Sequence, residues 1–457
     1  MLRIYLDTNL LTHLDDYPSL KEKLLSNSDY LNIVYSSAHI DDLSRGSKPE
    51  LTLKDLKAIK YYSEDQCLAK YWGEENLRYD IRDPIEFFES FKETSIDLGD
   101  TINNLDKECK KLDIENPLDK LNGLNLNIDF DESQNQQNKY FPFRRFKKDS
   151  TFRSLFDDIA EIFQQSLTSN SFLKEARTQF DKQLPRIVMG NVEEDVIGYL
   201  NQKLPKTVYN KTFDDFVVDS LKLRGKDKSY SKFDWFITRY NTLDIVGYKS
   251  DNKSTTSNIV ADAFHAFYAA HCDIFLSRDR RLKDKAKVIY EEFGIETLIF
   301  SEVEFCEYID NLIFKIQNAT RFANFISDIN TLEVQHWFSD IDTKFTIIEH
   351  RLKTFFVGYF DYVICAKKDS EGTILTFMKE NKTFSNWYYY KELRALVKVF
   401  VEMYGYDISD NNEFVDLENE YSEEQIWIGR IWHFEHLLIS LSQDKDLGLT
   451  LRLETFN

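Results

Sequence analysis

Residues that break or staple a chain are scarce. Seven prolines and 14 glycines in 457 residues exclude collagen-like and Pro/Gly-rich low-complexity classes. The five cysteines (Cys67, Cys109, Cys272, Cys306 and Cys365) are odd in number and far apart. They make no Cys-x-x-Cys pair and no Cys/His zinc spacing, so a reducing interior is the simplest reading. No apolar run approaches the roughly 20 residues of a membrane span, and Asp7 interrupts the stretch a signal peptide needs. We therefore expect a soluble, cytoplasmic protein with no membrane partner. Positive charge is in deficit, with 58 Lys and Arg against 78 Asp and Glu and a formal charge of -20. That argues against coating nucleic acid by bulk electrostatics but leaves room for a local basic track.

Several catalytic signatures are also missing. The chain has neither a phosphate-binding G-x-x-x-x-G-K-[ST] loop nor a G-x-S-x-G nucleophile elbow. Trp432-His433-Phe434-Glu435-His436 is one residue short of the H-x-x-E-H zinc motif, and reads as structural. Asp7-Thr8-Asn9 lacks the second acid of an aspartyl phosphatase. Aromatic residues, by contrast, are plentiful: 36 Phe and 25 Tyr bring them to 15% of the chain. Their burial area excludes wholesale disorder, and the length suits about three domains, or two with one enlarged by an insertion.

Leu2 to Leu6 reads as a buried strand that stops at Asp7-Thr8-Asn9. Leu10 to Leu25 has helical spacing with a break at Pro18-Ser19. Asn32 to Ser36 is a second strand, Ser37 caps a helix over Ala38 to Ser44, and Gly46 stops it. Residues 47–255 look mostly helical, with polar interruptions at Asn125 to Gln137 and Lys249 to Asn258. Strand and helix then alternate again. A helix from Ser257 or Asn258 to His271 precedes a strand over Asp273 to Ser277. A helix over Arg281 to Phe293 is ended by Gly294, before a strand over Glu296 to Phe300. Such alternation predicts a parallel sheet with helices on both faces. From 306 onward the pattern looks mainly helical, with 25 acidic against 15 basic residues. No Lys or Arg lies between Lys398 and Arg430, which suits a solvated acidic face or a docking surface for a basic protein partner.

The acids fall where such a sheet binds ligands. Asp7 and Asp279 each follow a strand, and ligands of open parallel sheets sit beyond the strands' carboxyl ends. Asp42 and Asp262 lie on helices beside them. Carboxylates converging there repel unless a cation joins them, and oxygen-only ligands favour Mg²⁺ or Mn²⁺.

These motifs resemble those of the PIN-domain nucleases. Ile4-Tyr5-Leu6-Asp7-Thr8-Asn9 is similar to the family's opening motif, and Ser36 to Gly46, with Asp41-Asp42-Leu43, to its second. Asp262 to Asp279, 17 residues apart through Ser277-Arg278-Asp279, resembles its closing motif. The resemblance spans about 1–48 and 256–305. It implies a PIN-like α/β core (1–48 and 256–305) with a parallel sheet flanked by helices. A large, mostly helical insertion (49–255) interrupts the core, and a mainly helical, acidic C-terminal domain (306–457) follows. It further implies metal-assisted phosphodiester hydrolysis by Asp7, Asp42, Asp262 and Asp279 as catalytic metal ligands. Where the family has Glu, this chain has Asp41 or Asp42, and Asp42 stands before Leu43 as the family's acid does. Asn9 and Ser277 are expected to orient the ligands, and His265 to pack beneath them or approach a phosphate. Arg278, Arg280, Arg281, Lys283, Lys285 and Lys287 form a phosphate track beside Asp279. Arg144 and Arg145, interleaved with Phe143 and Phe146, form a second basic-aromatic patch. RNA (tRNA or mRNA) is the implied substrate. The alternatives are a DNA or structure-specific nuclease and a silent PIN scaffold binding a protein. The acidic domain suggests a regulated effector, toxin-like or in phage defence.

Overall fold

The computed structural model describes residues 1–46, 48–70, 77–94, 177, 192, 194–207, 210–222, 229–250, 255–314, 324–325, 327–329, 331–340, 345–368, 372–379, 386–410, 420, 426–434, 436–444 and 448–455. In chain order the first part comprises β1 (Leu2–Leu6), α1 (Thr8–Thr12), α2 (Pro18–Ser26), β2 (Leu31–Ser36), α3 (Ser37–Ser44), α4 (Pro49–Ser63), β3 (Gln66–Lys70), β4 (Leu77–Ile81) and α5 (Pro84–Thr94). It continues with α6 (Val196–Lys203), α7 (Phe213–Lys222), α8 (Lys232–Ile245), α9 (Thr256–Ala269), β5 (Ile274–Leu276), α10 (Arg280–Phe293), β6 (Leu298–Phe300) and α11 (Glu302–Leu312).

Six of these strands form one sheet in the order β4-β3-β2-β1-β5-β6, parallel except for β4. β1 is central, and its side chains alternate between two cores. Leu2, Ile4 and Leu6 pack with Leu10, Leu20 and Leu56 on one face. Tyr5 packs with Ala263, Phe236 and Phe275 on the other. A helical layer therefore lies on each side, as alternating strands and helices dictate. β3 and β4, from the stretch read as mostly helical, extend this sheet rather than standing apart from it. The chain moves outward from β1 to β2 and later returns to the opposite side as β5. The carboxyl ends of β1 and β5 thus mark a topological switch point.

The mainly helical domain expected over 306–457 is instead largely an antiparallel sheet. It comprises β7 (Ile313–Phe314), β8 (Val334–Asp340), β9 (Phe345–Phe356), β10 (Phe360–Lys368), β11 (Gly372–Met378), β12 (Arg430–Phe434), β13 (Leu437–Asp444) and β14 (Gly448–Thr455), with one long helix, α12 (Asn386–Tyr404). The period was two: Leu437, Ile439 and Leu441 are buried while the residues between them are half-buried. The β9–β10 turn, Val357-Gly358, holds positive φ of 49° and 67°, the twist a tight hairpin needs. Leu393, Leu396 and Phe400 of α12 share the core of this sheet with Trp432 and Phe377.

The two sheets meet at the amino ends of β1 and β5. Asp273, just before β5, is buried and accepts from the Arg3 amide (2.7 Å) and from Lys379 Nζ (2.9 Å). Lys379, after β11, also donates to the Met1 carbonyl (3.0 Å). Burial alone would raise the Asp273 carboxyl. The charges of Arg3 and Lys379, with the hydrogen bonds, overcome this and hold it at about 2. Surface pairs Lys391–Glu64 and Lys398–Asp29 flank the contact. Of the acidic stretch after Lys398, Asp407 and Glu420 are paired internally with Arg430. Among the described residues no helix is long and apolar enough to cross a membrane.

Candidate functional site

Asp7 leaves β1 and caps α1, its Oδ1 accepting from the Leu10 amide at 2.9 Å. β5 runs beside β1 in register Leu6 to Leu276, so Ser277 emerges next to Asp7. The Ser277 hydroxyl donates to Asp7 Oδ2 and accepts from the Asp279 amide at 3.0 Å. The Arg278 amide donates to Asp7 Oδ2 at 3.3 Å. Asp279 is exposed and caps α10, its Oδ1 accepting from Arg281 (2.7 Å) and Leu282 (3.1 Å). One serine therefore joins the two strand-end acids. Burial raises the Asp7 carboxyl despite its hydrogen bonds.

Asp42 and His265 approach from α3 and α9. Asp42 Oδ2 accepts from the Thr8 hydroxyl (2.7 Å) and meets His265 Nε2 (2.8 Å), while Oδ1 pairs with Arg45 (2.7 Å). Burial works to raise this carboxyl, but His265, Thr8 and Arg45 hold it well below the ordinary range. Asp41 turns outward onto Arg45. Of the adjacent pair, Asp42 is the one that reaches the interior. His265 is buried and its Nδ1 meets the Tyr5 hydroxyl at 2.8 Å. Burial opposes a charged imidazole here, yet Asp42, Asp7 and Asp262 together raise its pKa.

Beneath it, His39 Nδ1 accepts from the Ser36 amide (3.0 Å), which leaves Nε2 to donate to the Leu6 carbonyl (2.8 Å). Burial and the nearby His265 lower His39 to about 3, so it stays neutral in that tautomer.

Asp262 lies one turn before His265 on the same face of α9. Among the described residues its carboxylate has no hydrogen-bond or ion-pair partner. Burial pushes it up to about 7; Lys285 opposes, and the negative charges of Asp279 and Asp42 add to the rise. Those three acids thus share one electrostatic field. No family model, curated protein or solved structure matches the chain. Among the described residues, no group of three His, Cys, Asp or Glu side chains stands ready to hold a metal ion.

The expected basic track is mostly spoken for. Arg278 pairs with Glu302 (3.2 Å) and lies over the Tyr17 ring. Lys283 pairs with Glu304 (3.5 Å), and Arg280, 86% exposed, pairs among the described residues only with Asp284, at 3.8 Å. Arg281 and Asn9 are exposed. Arg144 and Arg145 lie outside the described residues.

Lys285, expected in the basic track, instead lies in the interior near Asp262, while Lys287 is exposed. Lys285 is buried, bonded to Asp244 (2.8 Å) and set 4.8 Å from the centre of the Tyr240 ring. A lysine on the apolar face of a strongly amphipathic helix was the available signal, since such a residue stays only with a buried partner.

Proposed function

We propose that the chain is a PIN-like, metal-dependent endonuclease that hydrolyses RNA, with DNA or a branched structure as the substrate alternative. The observation that carries this reading is the unpartnered Asp262, raised to about 7 beside Asp279 and Asp42 at the β1/β5 switch point. Crowded carboxylates of this kind are stabilised by a divalent cation, and an all-oxygen donor set suits Mg²⁺ or Mn²⁺. Asp7, Asp262 and Asp279 would hold it. When bound, such an ion polarises a scissile phosphate and lowers the pKa of an attacking water. Ser277 keeps Asp7 and Asp279 together, and the Asp42–His265 pair fixes α9 against α3, setting the position of Asp262.

The overall charge of -20 supports a regulated effector, toxin-like or in phage defence, with a protein partner at the acidic C-terminal part. One observation favours the second reading, a silent scaffold: the carboxylates as they stand form no ready cation cage. Calorimetric titration with Mn²⁺ separates the two. Wild type binds and Asp262→Asn loses at least about tenfold in affinity if the acids are ligands. Wild type that binds no Mn²⁺ refutes the metal site.

A further inference from the structure

Arg278 is held in a manner its stability does not require. Its side chain is 54% exposed, where a single ion pair contributes little. Yet three contacts fix the guanidinium. Nε pairs with Glu302 at 3.2 Å, one terminal nitrogen donates to the Tyr17 hydroxyl, and the group lies 5.0 Å from the Tyr17 ring centre. Its own amide donates to Asp7, so this pinned plane begins one residue from the strand-end acids.

Glu302 neutralises Arg278, which weakens it as a phosphate contact. Arg280, 86% exposed and only loosely held by Asp284, suits that task better. What Arg278 retains is a flat, delocalised and partly open surface. Guanidinium planes and aromatic rings are the surfaces on which unstacked bases settle. We infer that Arg278, laid on Tyr17, is a stacking platform for an unpaired base of a single-stranded nucleic acid beside Asp7. This rests on the nuclease reading and adds to it that the strand enters single-stranded, with one base held by its face rather than its phosphate.

The test is fluorescence anisotropy of a short labelled oligouridylate in EDTA, with full-length protein, so that binding is read without cleavage. Arg278→Lys keeps the charge opposite Glu302 and removes the plane. It is expected to weaken binding about tenfold and leave the salt dependence unchanged. On an abasic oligonucleotide, wild type and Arg278→Lys should bind alike. The platform is overturned if Arg278→Lys binds oligouridylate like wild type while Arg278→Gln lowers the salt slope by about one, the signature of a phosphate contact. Wild type that binds no oligonucleotide overturns the nuclease reading and the platform together. Melting curves on each variant confirm the fold, which an exposed side chain should not disturb.

Discussion

Asp273 ties the foot of β1 and β5 to the antiparallel sheet, and Asp273→Asn isolates what that tie contributes. The substitution keeps shape and removes charge. Arg3 and Lys379, both buried, then lose their shared counter-ion. Removing one partner of a buried ion network costs about 3–5 kcal/mol, and the lower end is expected because an amide can still accept from the Arg3 amide. The pH dependence gives an independent measure. The folded carboxyl sits at about 2, below its ordinary 3.8. Its stabilisation is therefore complete above pH 4 and lost as pH falls toward 2. A drop of that size corresponds to about 2 kcal/mol. Urea unfolding followed by tryptophan fluorescence reads both parts: Trp235 lies on α8, and Trp427 and Trp432 are buried in the antiparallel sheet. At pH 7, Asp273→Asn should lower stability by about 3 kcal/mol and shift both signals together. Between pH 4 and 2 it should lose about 2 kcal/mol less than wild type. A cost below about 1 kcal/mol at pH 7 would refute the reasoning, since it lies within what an ordinary surface change produces.

Three further outcomes follow. Asp262 has a folded pKa raised to about 7, so it costs stability as pH rises from 4 through 7; Asp262→Asn should stabilise the metal-free protein at pH 8 by about 1–4 kcal/mol, read from urea midpoints, while weakening Mn²⁺ binding at least about tenfold. In Asp42→Asn the imidazole of His265 loses its closest anion, and its pKa, followed by NMR of the ring protons, should fall rather than stay raised. Gly358 holds φ +67°, and an added Cβ would meet the Tyr30 Cβ at 2.9 Å; Gly358→Ala should lower the melting temperature, at a cost of about 1–3 kcal/mol.

The α/β part was legible because its signals are local. Leu2 to Leu6 is apolar except for Arg3 and stops at an acid, Pro18 begins α2, and Gly294 ends α10 at φ +63°. Caps shifted by one to three residues: Ser36 rather than Ser37 caps α3, since Ser36 is still extended while the Ser37 hydroxyl meets Tyr268. Thr255, not Ser257 or Asn258, caps α9. The antiparallel sheet was misread for a physical reason. Over 306–457 no Asn-Gly or Asp-Gly marks a hairpin, the β9–β10 turn being Val357-Gly358, and runs such as Ile347-Ile348 and Val363-Ile364-Cys365 blur the period of two. The strand-end acids could be read from order and spacing. The Tyr5–His265–Asp42 chain could not, because its members lie up to 260 positions apart and the pairing of β1 with both β2 and β5 brings them together.

Cleavage tests the central claim most directly. Total RNA, tRNA and single- and double-stranded DNA are incubated with wild type or Asp7→Ala/Asp279→Ala, in Mg²⁺, Mn²⁺ or EDTA. Metal-dependent cutting of RNA by wild type alone is the predicted result, and cutting confined to DNA would move the substrate but keep the chemistry. Cutting that persists in EDTA, or equally in the double variant, would contradict the account.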